Sequence, residues 1–345
     1  MTVGNTCAMS KPTIAAGFAR ALLELAVSKG ADRRTLAGRA DIALTELEDQ
    51  DNRIPFEKYV ALMRAGQEFD PALALHFGEA FEIAELSVVG LIGQACETVA
   101  DAFAQLGRYN RLMIDVEVEG PNDERLVLAR VGGRLWLVDT RRNPNDFPEI
   151  TESSFARMVC MSRHLGGADI IREVHVTHPA PAYRVEYDRI FPMPVIFGGD
   201  KNALLMADDS WMKQRLAPAP RYVFGVLRAH ADTLLEELEN SKTTRGRVES
   251  LLLPILHTGA GGMDRIAGRM GLSRQTLLRK LKVEGTTFEK VLDELRHRLA
   301  LDYLRGRKVS VNETAYLVGF SEPAAFSRAF KRWTGTSPRE VRMKG

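Results

Sequence analysis

The chain has 345 residues, 45% hydrophobic and 27% charged, a composition that excludes fibrous and largely disordered classes. Its net charge of +2 is unevenly spread: residues 241–345 hold 21 lysines and arginines against 10 acidic residues, whereas residues 1–240 hold 26 against 35. The length predicts two domains, and the basic excess of 11 in the second predicts a polyanionic partner, nucleic acid first.

Neither a membrane nor an oxidising compartment is indicated. Apolar runs fall far short of the ~18–20 residues that cross a bilayer, and Glu24 interrupts the only apolar candidate for a secretory leader. We therefore expect a cytoplasmic protein with no membrane partner. Cys7, Cys96 and Cys160 are odd in number and far apart, which favours reduced, mostly structural thiols over a disulfide scaffold or a zinc site.

Residues 1–218 carry a mixture of helical and strand patterns. Apolar residues recur at helical spacing in the segments 14–27, 56–69, 72–81, 99–113 and 148–165. Alternating patterns predict strands at 114–118, 171–176, 195–197 and 203–206 and a hairpin at 126–137 with its turn at Gly132-Gly133. We expect an α+β domain with short, antiparallel strands.

A single helix is predicted for the linker at 219–242. Its apolar residues step by three and four positions: Phe224, Leu227, Ala231, Leu234 and Leu238. This is the spacing of a coiled-coil seam, so the helix is a candidate for contact between the subunits of a homodimer. The pattern lasts barely two heptads, and stable coiled coils sustain more, so a helix packed on its own domain is the favoured alternative.

Residues 243–345 contain an internal repeat with an offset of 48 residues. The first unit is Ile266-Ala267, Gly271, Ser273 and Leu277/Leu281, and the second is Thr314-Ala315, Gly319, Ser321 and Phe326/Phe330. Each has the pattern of a helix-turn-helix, at about 263–282 and 311–332. The alanine lets two helices approach, the glycine takes a left-handed turn, the serine caps the next helix, and the apolar pair buries that helix.

The second helix of each unit is predicted to enter the major groove of double-stranded DNA. On the first, the outward side chains are Arg274, Gln275, Leu278, Arg279 and Lys282. Arginine suits guanine, glutamine suits adenine, and an exposed apolar side chain suits the thymine methyl. On the second they are Pro323, Ala324, Ser327, Arg328 and Lys331. This face is poorer in base-reading groups, so we expect mainly phosphate contacts from it, with Arg328 as the exception.

A helix at 288–304, about 25 Å long, is expected to hold the two units in a fixed relation. A separation near one duplex turn would place both recognition helices in successive major grooves, on DNA that bends to fit. One such hairpin is easily matched by chance, so a merely solvated helical bundle is the alternative. Two in tandem with a strong basic excess argue against it.

The segment 247–342 resembles the DNA-binding domain of AraC/XylS-type transcription regulators. The resemblance is densest in AYLVGFS at 315–321, FSRAFKRW at 326–333 and GTSP at 335–338. Val341 departs from the pattern, since the family often has an aromatic residue there, which affects only local packing.

The preceding part is similar, more diffusely, to the arabinose-binding type of effector-binding and dimerisation domain found in one branch of that family. The similar stretches are 93–111, 177–181 and 187–204. The resemblance implies a small-molecule effector of unknown identity, homodimerisation, contact with RNA polymerase and activation as the output. It names no effector-binding residue.

Other patterns suggest different chemistry and are set aside. His175 and His178 fall on opposite faces of a strand and lack further metal ligands. The glycines at 259–262 are followed by Asp264, where a dinucleotide fingerprint needs glycine, so a loop between helices is expected. Ser273 and Ser321 lack the surroundings of a hydrolase nucleophile and are better explained as helix caps.

Two more groups in the first domain have a functional and a structural interpretation. Arg141-Arg142 suits either an anionic effector or a solvated loop, and we favour the loop. Trp136, Tyr109 and Phe155 suit either an effector pocket or the core, and we favour the core.

The sequence thus predicts an α+β sensor and dimerisation domain joined to an all-α domain of two helix-turn-helix units linked by a helix. We expect a sequence-specific transcription regulator controlled by population shift, with no catalytic residue, cofactor or metal. The alternatives are a ligand-independent regulator or repressor, an architectural binder whose affinity is set by salt, and, remotely, an enzyme fused to a DNA-binding tail.

Overall fold

The structure is a computed structural model that describes residues 11–81, 83–120, 124–164, 170–216, 220–306 and 309–344. It divides into two compact units, the first ending at Leu235 and the second beginning at Glu236. Cys7, position 165 at the end of a predicted helix and the predicted boundary at 218 lie outside the described residues. No helix among the described residues is long and apolar enough to cross a bilayer.

The helices of the first unit are α1 (Ala16–Ser28), α2 (Arg33–Arg39), α3 (Phe56–Gly66), α4 (Leu73–Ala80), α5 (Ile83–Leu86), α6 (Val88–Gln94), α7 (Val99–Met113), α8 (Glu149–His164), α9 (Arg184–Ile190) and the start of α10 (Arg221–Lys242). Its strands are β1 (Thr13–Ala15), β2 (Arg53–Pro55), β3 (Ile114–Asp115), β4 (Leu126–Val131), β5 (Arg134–Asp139), β6 (Ile171–His175), β7 (Val195–Ile196) and β8 (Ala203–Met206).

Two sheets form within this α+β unit, which agrees with the predicted fold class. One has the order β2-β1-β3 and the other β4-β5-β8-β6-β7. The expectation of antiparallel strands is wrong for β6 and β7, which pair in parallel because α9 carries the chain back between them. The strand predicted at 114–118 is also shorter than expected: β3 pairs with β1, and Val118 forms only an isolated bridge to Arg141.

The core of the first unit has two main clusters. Ala-rich α1 packs with α2, α3 and α4 in one, and α8, α9 and the five-stranded sheet form the other. Helices α4 and α8 approach so closely that a Cβ on Gly78 would lie 2.3 Å from the Ser153 carbonyl oxygen. The favoured interpretation of the three aromatics is confirmed, since Trp136, Tyr109 and Phe155 are all buried.

Arg141 corrects one prediction. The favoured solvated loop holds for Arg142, which is exposed, but Arg141 is buried. Its guanidinium donates to the carbonyl oxygens of Phe147 and Pro144 and to the Thr151 hydroxyl. Adjacent arginines in an extended segment point to opposite sides, so one faces the core and the other the solvent.

The two histidines have separate partners. His175 pairs with Glu173 and packs edge-on against Trp136, whereas His178 lies against the carbonyl of Pro179 and the hydroxyl of Tyr187. Among the described residues, no group of three or more His, Cys, Asp or Glu side chains is placed to hold a metal ion.

Glu152 of α8 lies at the centre of a buried polar cluster. Its Oε1 accepts hydrogen bonds from the hydroxyls of Tyr183 and Tyr187, whereas its Oε2 is buried without a partner. Burial raises the pKa of Glu152 to about 7, because the tyrosine hydrogen bonds only partly offset the loss of hydration. A carboxyl with a raised pKa binds its proton more tightly in the folded protein than in the unfolded chain.

We therefore expect Glu152 to lower the free energy of unfolding as the pH rises from the pKa that Glu152 has in the unfolded chain through its folded pKa of about 7. Glu152→Gln keeps an oxygen acceptor and cannot ionise. Urea unfolding at pH 5 and pH 8 should show the variant gaining about 1–3 kcal/mol on the wild type across that interval. Parallel stability profiles for the two proteins would contradict the assignment.

The predicted linker helix, α10, was expected either to pair with a second subunit or to pack on its own domain. As far as the unit boundary at Leu235, its contacts show the second arrangement. Ala231 is fully buried, and Phe224 and Leu227 are half-buried. The Asp232 carboxylate accepts hydrogen bonds from the Tyr109 hydroxyl and the Arg108 guanidinium of α7. This part of the apolar stripe therefore packs on its own unit, as favoured.

The helices of the second unit, after the end of α10, are α11 (Thr244–Leu252), α12 (Met263–Arg269), α13 (Arg274–Val283), α14 (Phe288–Arg305), α15 (Val311–Leu317), α16 (Pro323–Thr334) and α17 (Pro338–Lys344), with a 3₁₀ segment at Leu253–Thr258. Two cores form, and α14 contributes to both. Its Val291 and Leu295 pack with α11 to α13, and its Ala300 and Leu304 pack with α15 and α16.

At Gly319, the turn of the second helix-turn-helix approaches Leu256 of the first core. The φ of Gly319, +79°, is in the left-handed region, and a Cβ there would lie 2.2 Å from the Leu256 carbonyl oxygen. Gly271, the equivalent residue of the first unit, has a similar φ of +66° but nothing within 4 Å of an added Cβ. The two glycines therefore separate backbone strain from steric contact.

This pair yields a matched test. Gly271→Ala should lower the free energy of unfolding by about 1 kcal/mol through backbone strain alone. Gly319→Ala should cost about 1–3 kcal/mol more, because the 3₁₀ segment must move away from the new methyl group. Urea unfolding of the full chain checks both, and equal losses would show that the approach to Leu256 is unimportant.

Candidate nucleic-acid interface and effector cavity

The first helix-turn-helix consists of α12, a turn at Gly271 and α13. The Ser273 hydroxyl accepts a hydrogen bond from the Thr276 backbone N–H at 3.2 Å, so the predicted cap is confirmed. Leu277 and Leu281 are fully buried against the first core. The loop predicted at 259–262 is also present, between the 3₁₀ segment and α12.

The second helix-turn-helix consists of α15, a turn at Gly319 and α16. The prediction that Ser321 caps α16 is wrong: the N-cap residue is Glu322, which makes no side-chain cap. Pro323 occupies the first helical position, where no backbone N–H is needed, so the helix starts without that cap. The serine cap lies instead at Ser310, which forms a reciprocal capping box with Glu313 at the start of α15.

The predicted recognition residues of α13 share one face. Arg274, Gln275, Leu278, Arg279 and Lys282 are all exposed, opposite the buried leucines. Arg274 forms an ion pair with Asp264 at 2.9 Å. Within the described residues, Arg279 and Lys282 are held by no side-chain hydrogen bond or ion pair, so their donors are available to a ligand.

On α16 the corresponding residues also lie away from the core. Ala324, Arg328 and Lys331 are exposed and Ser327 is half-buried, whereas Phe326 and Phe330 are fully buried. Neither Arg328 nor Lys331 has an ion-pair partner in the part of the chain that the structure describes. This face therefore offers two exposed cations and few other polar groups.

Arg296 of α14 has a structural role that the sequence did not reveal. Its guanidinium donates to the carbonyl oxygens of Val318 and Gly319, both at 3.1 Å, and lies 4.6 Å from the ring centroid of Phe320. Burial lowers the pKa of Arg296. In a basic segment this arginine looks like a DNA contact, and only its partners show that it ties the turn of the second unit to α14.

The first unit contains a cavity of about 900 Å³, a volume at the upper end of pockets for small molecules. Its walls come from α4 to α8, α10 and the five-stranded sheet. The aromatics considered from sequence are not part of its lining, which instead includes Phe81, Val89, Phe103, Leu106, Met158 and Trp211. No local motif marks such a cavity, because its walls are far apart in sequence.

Two arginines reach this cavity. Arg125 is paired with Asp139 at 2.9 Å and also donates to the Ser154 hydroxyl. Arg157 of α8 is 8% exposed, and its Nε donates to the Phe81 carbonyl oxygen. Cys160, one helical turn further, also lines the cavity, and burial raises the pKa of its thiol and of the Cys96 thiol.

Helix α10 forms one side of the cavity through Val223 and Leu227. The same helix is held to α7 by the hydrogen bonds of Tyr109 and Arg108 to Asp232. Burial, and then the hydrogen bond to Asp232, raise the pKa of Tyr109, while the same hydrogen bond lowers the pKa of Asp232. Since the boundary between the two units falls within α10, a cavity wall and the start of the second unit belong to one helix.

Family models match both parts of the chain. Residues 30–216 match the arabinose-binding domain of AraC transcription regulators, and residues 266–344 match a helix-turn-helix domain. The first match spans more than half of the chain. The protein therefore belongs to the AraC family and is a DNA-binding transcription regulator.

The chain is also similar to individual transcription regulators. The ornithine utilization regulator of Pseudomonas aeruginosa is 26% identical over 330 residues, covering 94% of this chain and 95% of the relative. The transcriptional activator RhaS of Escherichia coli is 36% identical over 121 residues, covering 34% of this chain and 42% of its own. The crystal structure of the regulator CdpR from P. aeruginosa matches 94% of this chain and 98% of that one, at 20% identity and a TM-score of 0.40.

The geometry of the two recognition helices predicts different effects for two single substitutions. Arg279→Ala should weaken binding to a specific duplex by about 1–3 kcal/mol, because a base contact is lost. Lys331→Ala should weaken specific and random duplexes alike and lower the salt slope by about one. Fluorescence anisotropy over a salt series measures both. If Arg279→Ala reduced binding to both duplexes equally, its assignment to base contact would be wrong.

Proposed function

We propose that this protein is an effector-responsive activator that binds double-stranded promoter DNA through α13 and α16. The exposed donors of Arg279, Lys282, Arg328 and Lys331 support this, since each faces away from the core and is uncommitted among the described residues. On α13, the cations, Gln275 and the exposed Leu278 suit direct base contact. On α16, small residues beside two cations suit phosphate contact, and Arg328 is the residue of this face that we expect to contact a base.

The response to an effector takes place through α10. A ligand in the cavity touches Val223 and Leu227 of that helix, and Leu227 precedes by five residues Asp232, whose carboxylate bonds to α7. A ligand that binds one placement of α10 better than another shifts the population toward it, by no more than its difference in affinity. Coupling of this kind is commonly worth about 1–3 kcal/mol. The single observation that supports effector control is that α10 both lines the cavity and contains the boundary between the two units.

Homodimerisation and contact with RNA polymerase complete the proposal. On α10 the side chains of Tyr222 and Val226 are 82% and 52% exposed, so neither is buried against the first unit. Such exposed apolar groups suit contact with a second subunit. Sedimentation of the full chain with and without Tyr222→Ser tests this role.

The sign of regulation is tested with a reporter. The operator is placed upstream of a weak promoter in cells with or without the protein. Activation should raise transcription by about fivefold or more in at least one growth condition. Arg279→Ala should abolish the increase at equal protein level.

The control is Arg163→Met, an exposed arginine in the first unit that donates to the Ile190 carbonyl oxygen and should leave the output unchanged. A fall in transcription would support the alternative of a repressor. A rise that is the same in every growth condition would support a ligand-independent regulator.

A further inference from the structure

Within the part of the chain that the structure describes, Arg157 is a buried cation without a carboxylate partner. Its Nε donates to the Phe81 carbonyl oxygen at 3.0 Å, but its Nη2 is buried and has no hydrogen-bond partner. The rings of Phe18 and Phe77 lie 5.8 and 5.3 Å from its guanidinium carbon. Among the described residues, no carboxylate forms an ion pair with it. Burial accordingly lowers the pKa of Arg157 to about 10.

The other buried arginines of this unit are better satisfied. Arg125 is paired with Asp139, and Arg141 donates to two carbonyl oxygens and a hydroxyl, although its own Nε is also buried without a partner. Arg53, which is half-buried, donates to the Leu112 and Arg111 carbonyl oxygens and to the Thr13 hydroxyl. Leaving a buried donor of a charged group unsatisfied is costly, so the unpartnered Nη2 of Arg157 requires an explanation, and we consider a bound ligand.

The Arg157 side chain lines the cavity of the first unit, although its unpartnered Nη2 has almost no accessible surface, so a ligand must displace neighbouring atoms to reach that nitrogen. The other charged groups known to line the cavity are already paired: Arg125 with Asp139, and Glu79 with Arg189. Among the described residues, the cavity wall thus has one uncompensated positive charge. Most of the remaining surface is apolar, from Val89, Leu106, Leu126, Met158, Ile171 and Leu204.

A cavity with one buried cation in an apolar wall fits a ligand with one negative charge and an apolar body. A carboxylate matches because it accepts hydrogen bonds from a guanidinium in one plane and has a single charge. A phosphate monoester has nearly two charges and would leave one uncompensated in an apolar site. A neutral ligand could accept a hydrogen bond from Arg157 but would leave its charge uncompensated, and a cationic ligand would add a second positive charge.

We propose that the effector is an amphipathic monocarboxylate whose carboxylate binds Arg157 and whose aliphatic or aromatic body fills the apolar cavity. This inference rests on the proposed effector response and names the chemical class of the effector. Met158 and Cys160, beside Arg157 on α8, and Leu227 of α10 would contact the apolar body. Arg157 is then the residue that selects anionic ligands over neutral and cationic ones.

The test uses the full-length protein and three probes of the same chain length: dodecanoate, dodecanol and dodecylamine, each below its micelle concentration. Isothermal calorimetry should give a dissociation constant for dodecanoate about tenfold or more below those of the other two. Naphthalene-2-acetate is a second carboxylate, which separates an aromatic from an aliphatic body. If neither carboxylate binds better than dodecanol, the proposal is overturned.

Variants then assign the preference to one side chain. Arg157→Met should remove the preference for dodecanoate over dodecanol, and Arg157→Lys should retain part of it. Arg163→Met, an exposed change on the same helix outside the cavity lining, should bind as the wild type does. Since Arg157→Met removes an uncompensated buried charge, its thermal midpoint should equal or exceed that of the wild type. A lower midpoint with an unchanged carboxylate preference would show that Arg157 is structural.

The effector response can fail independently of the ligand class. If dodecanoate binds through Arg157 but changes neither DNA affinity nor reporter output, the ligand class stands and the proposed response fails. If the reporter responds in growing cells while both carboxylates bind no better than dodecanol, the response stands and the inference fails.

Discussion

The DNA-binding half of this protein depends on α14 belonging to two hydrophobic cores at once. Its first turns pack into the core of the first helix-turn-helix and its last turns into that of the second. Arg296, midway along, binds the carbonyl oxygens at the turn of the second unit, and Gly319 in that turn lies against Leu256. A helix of 18 residues, about 27 Å long, therefore holds two recognition helices in one relation.

This arrangement assigns different roles to basic residues that look alike in the sequence. Arg296 is consumed by the fold, Arg298 pairs with Glu249, and Arg332 pairs with Asp293. Arg279 and Arg328 remain available on the outward faces of α13 and α16. The basic excess of the second unit is therefore partly structural, and only its outward fraction is available to bind phosphates and bases.

The first unit contains buried polar clusters with internal charge or hydrogen-bond partners, and it also contains Arg157, a buried cation that forms no ion pair among the described residues. Asp139 is surrounded by Arg125 and Thr151, and Glu152 by two tyrosines. These clusters lie beside α8, the helix that also presents Arg157 to the cavity. Because α10 forms another wall of the same cavity, the ligand that we propose would touch both Arg157 and the helix in which the unit boundary falls.

The sequence predicted the features that are encoded locally. The helix-turn-helix pattern requires a glycine, a cap and an apolar pair within twenty residues, and Gly271 and Ser273 behave as predicted. The predicted cap at Ser321 was wrong, because α16 begins at Pro323 with Glu322 as its N-cap residue and uses no side-chain cap. The burial of Arg141 and the cavity depend on segments far apart in the chain, so no pattern in one segment could indicate them.

The most direct test of the account is selection of bound fragments from sheared genomic and random DNA by the full-length protein at ~150 mM salt, where nonspecific binding is weak. Two recognition helices held in one relation predict enrichment of a motif with two blocks centred about one helical turn, ~10 base pairs, apart. Enrichment of no motif, with or without cell extract, would contradict the central claim that α13 and α16 together recognise sequence.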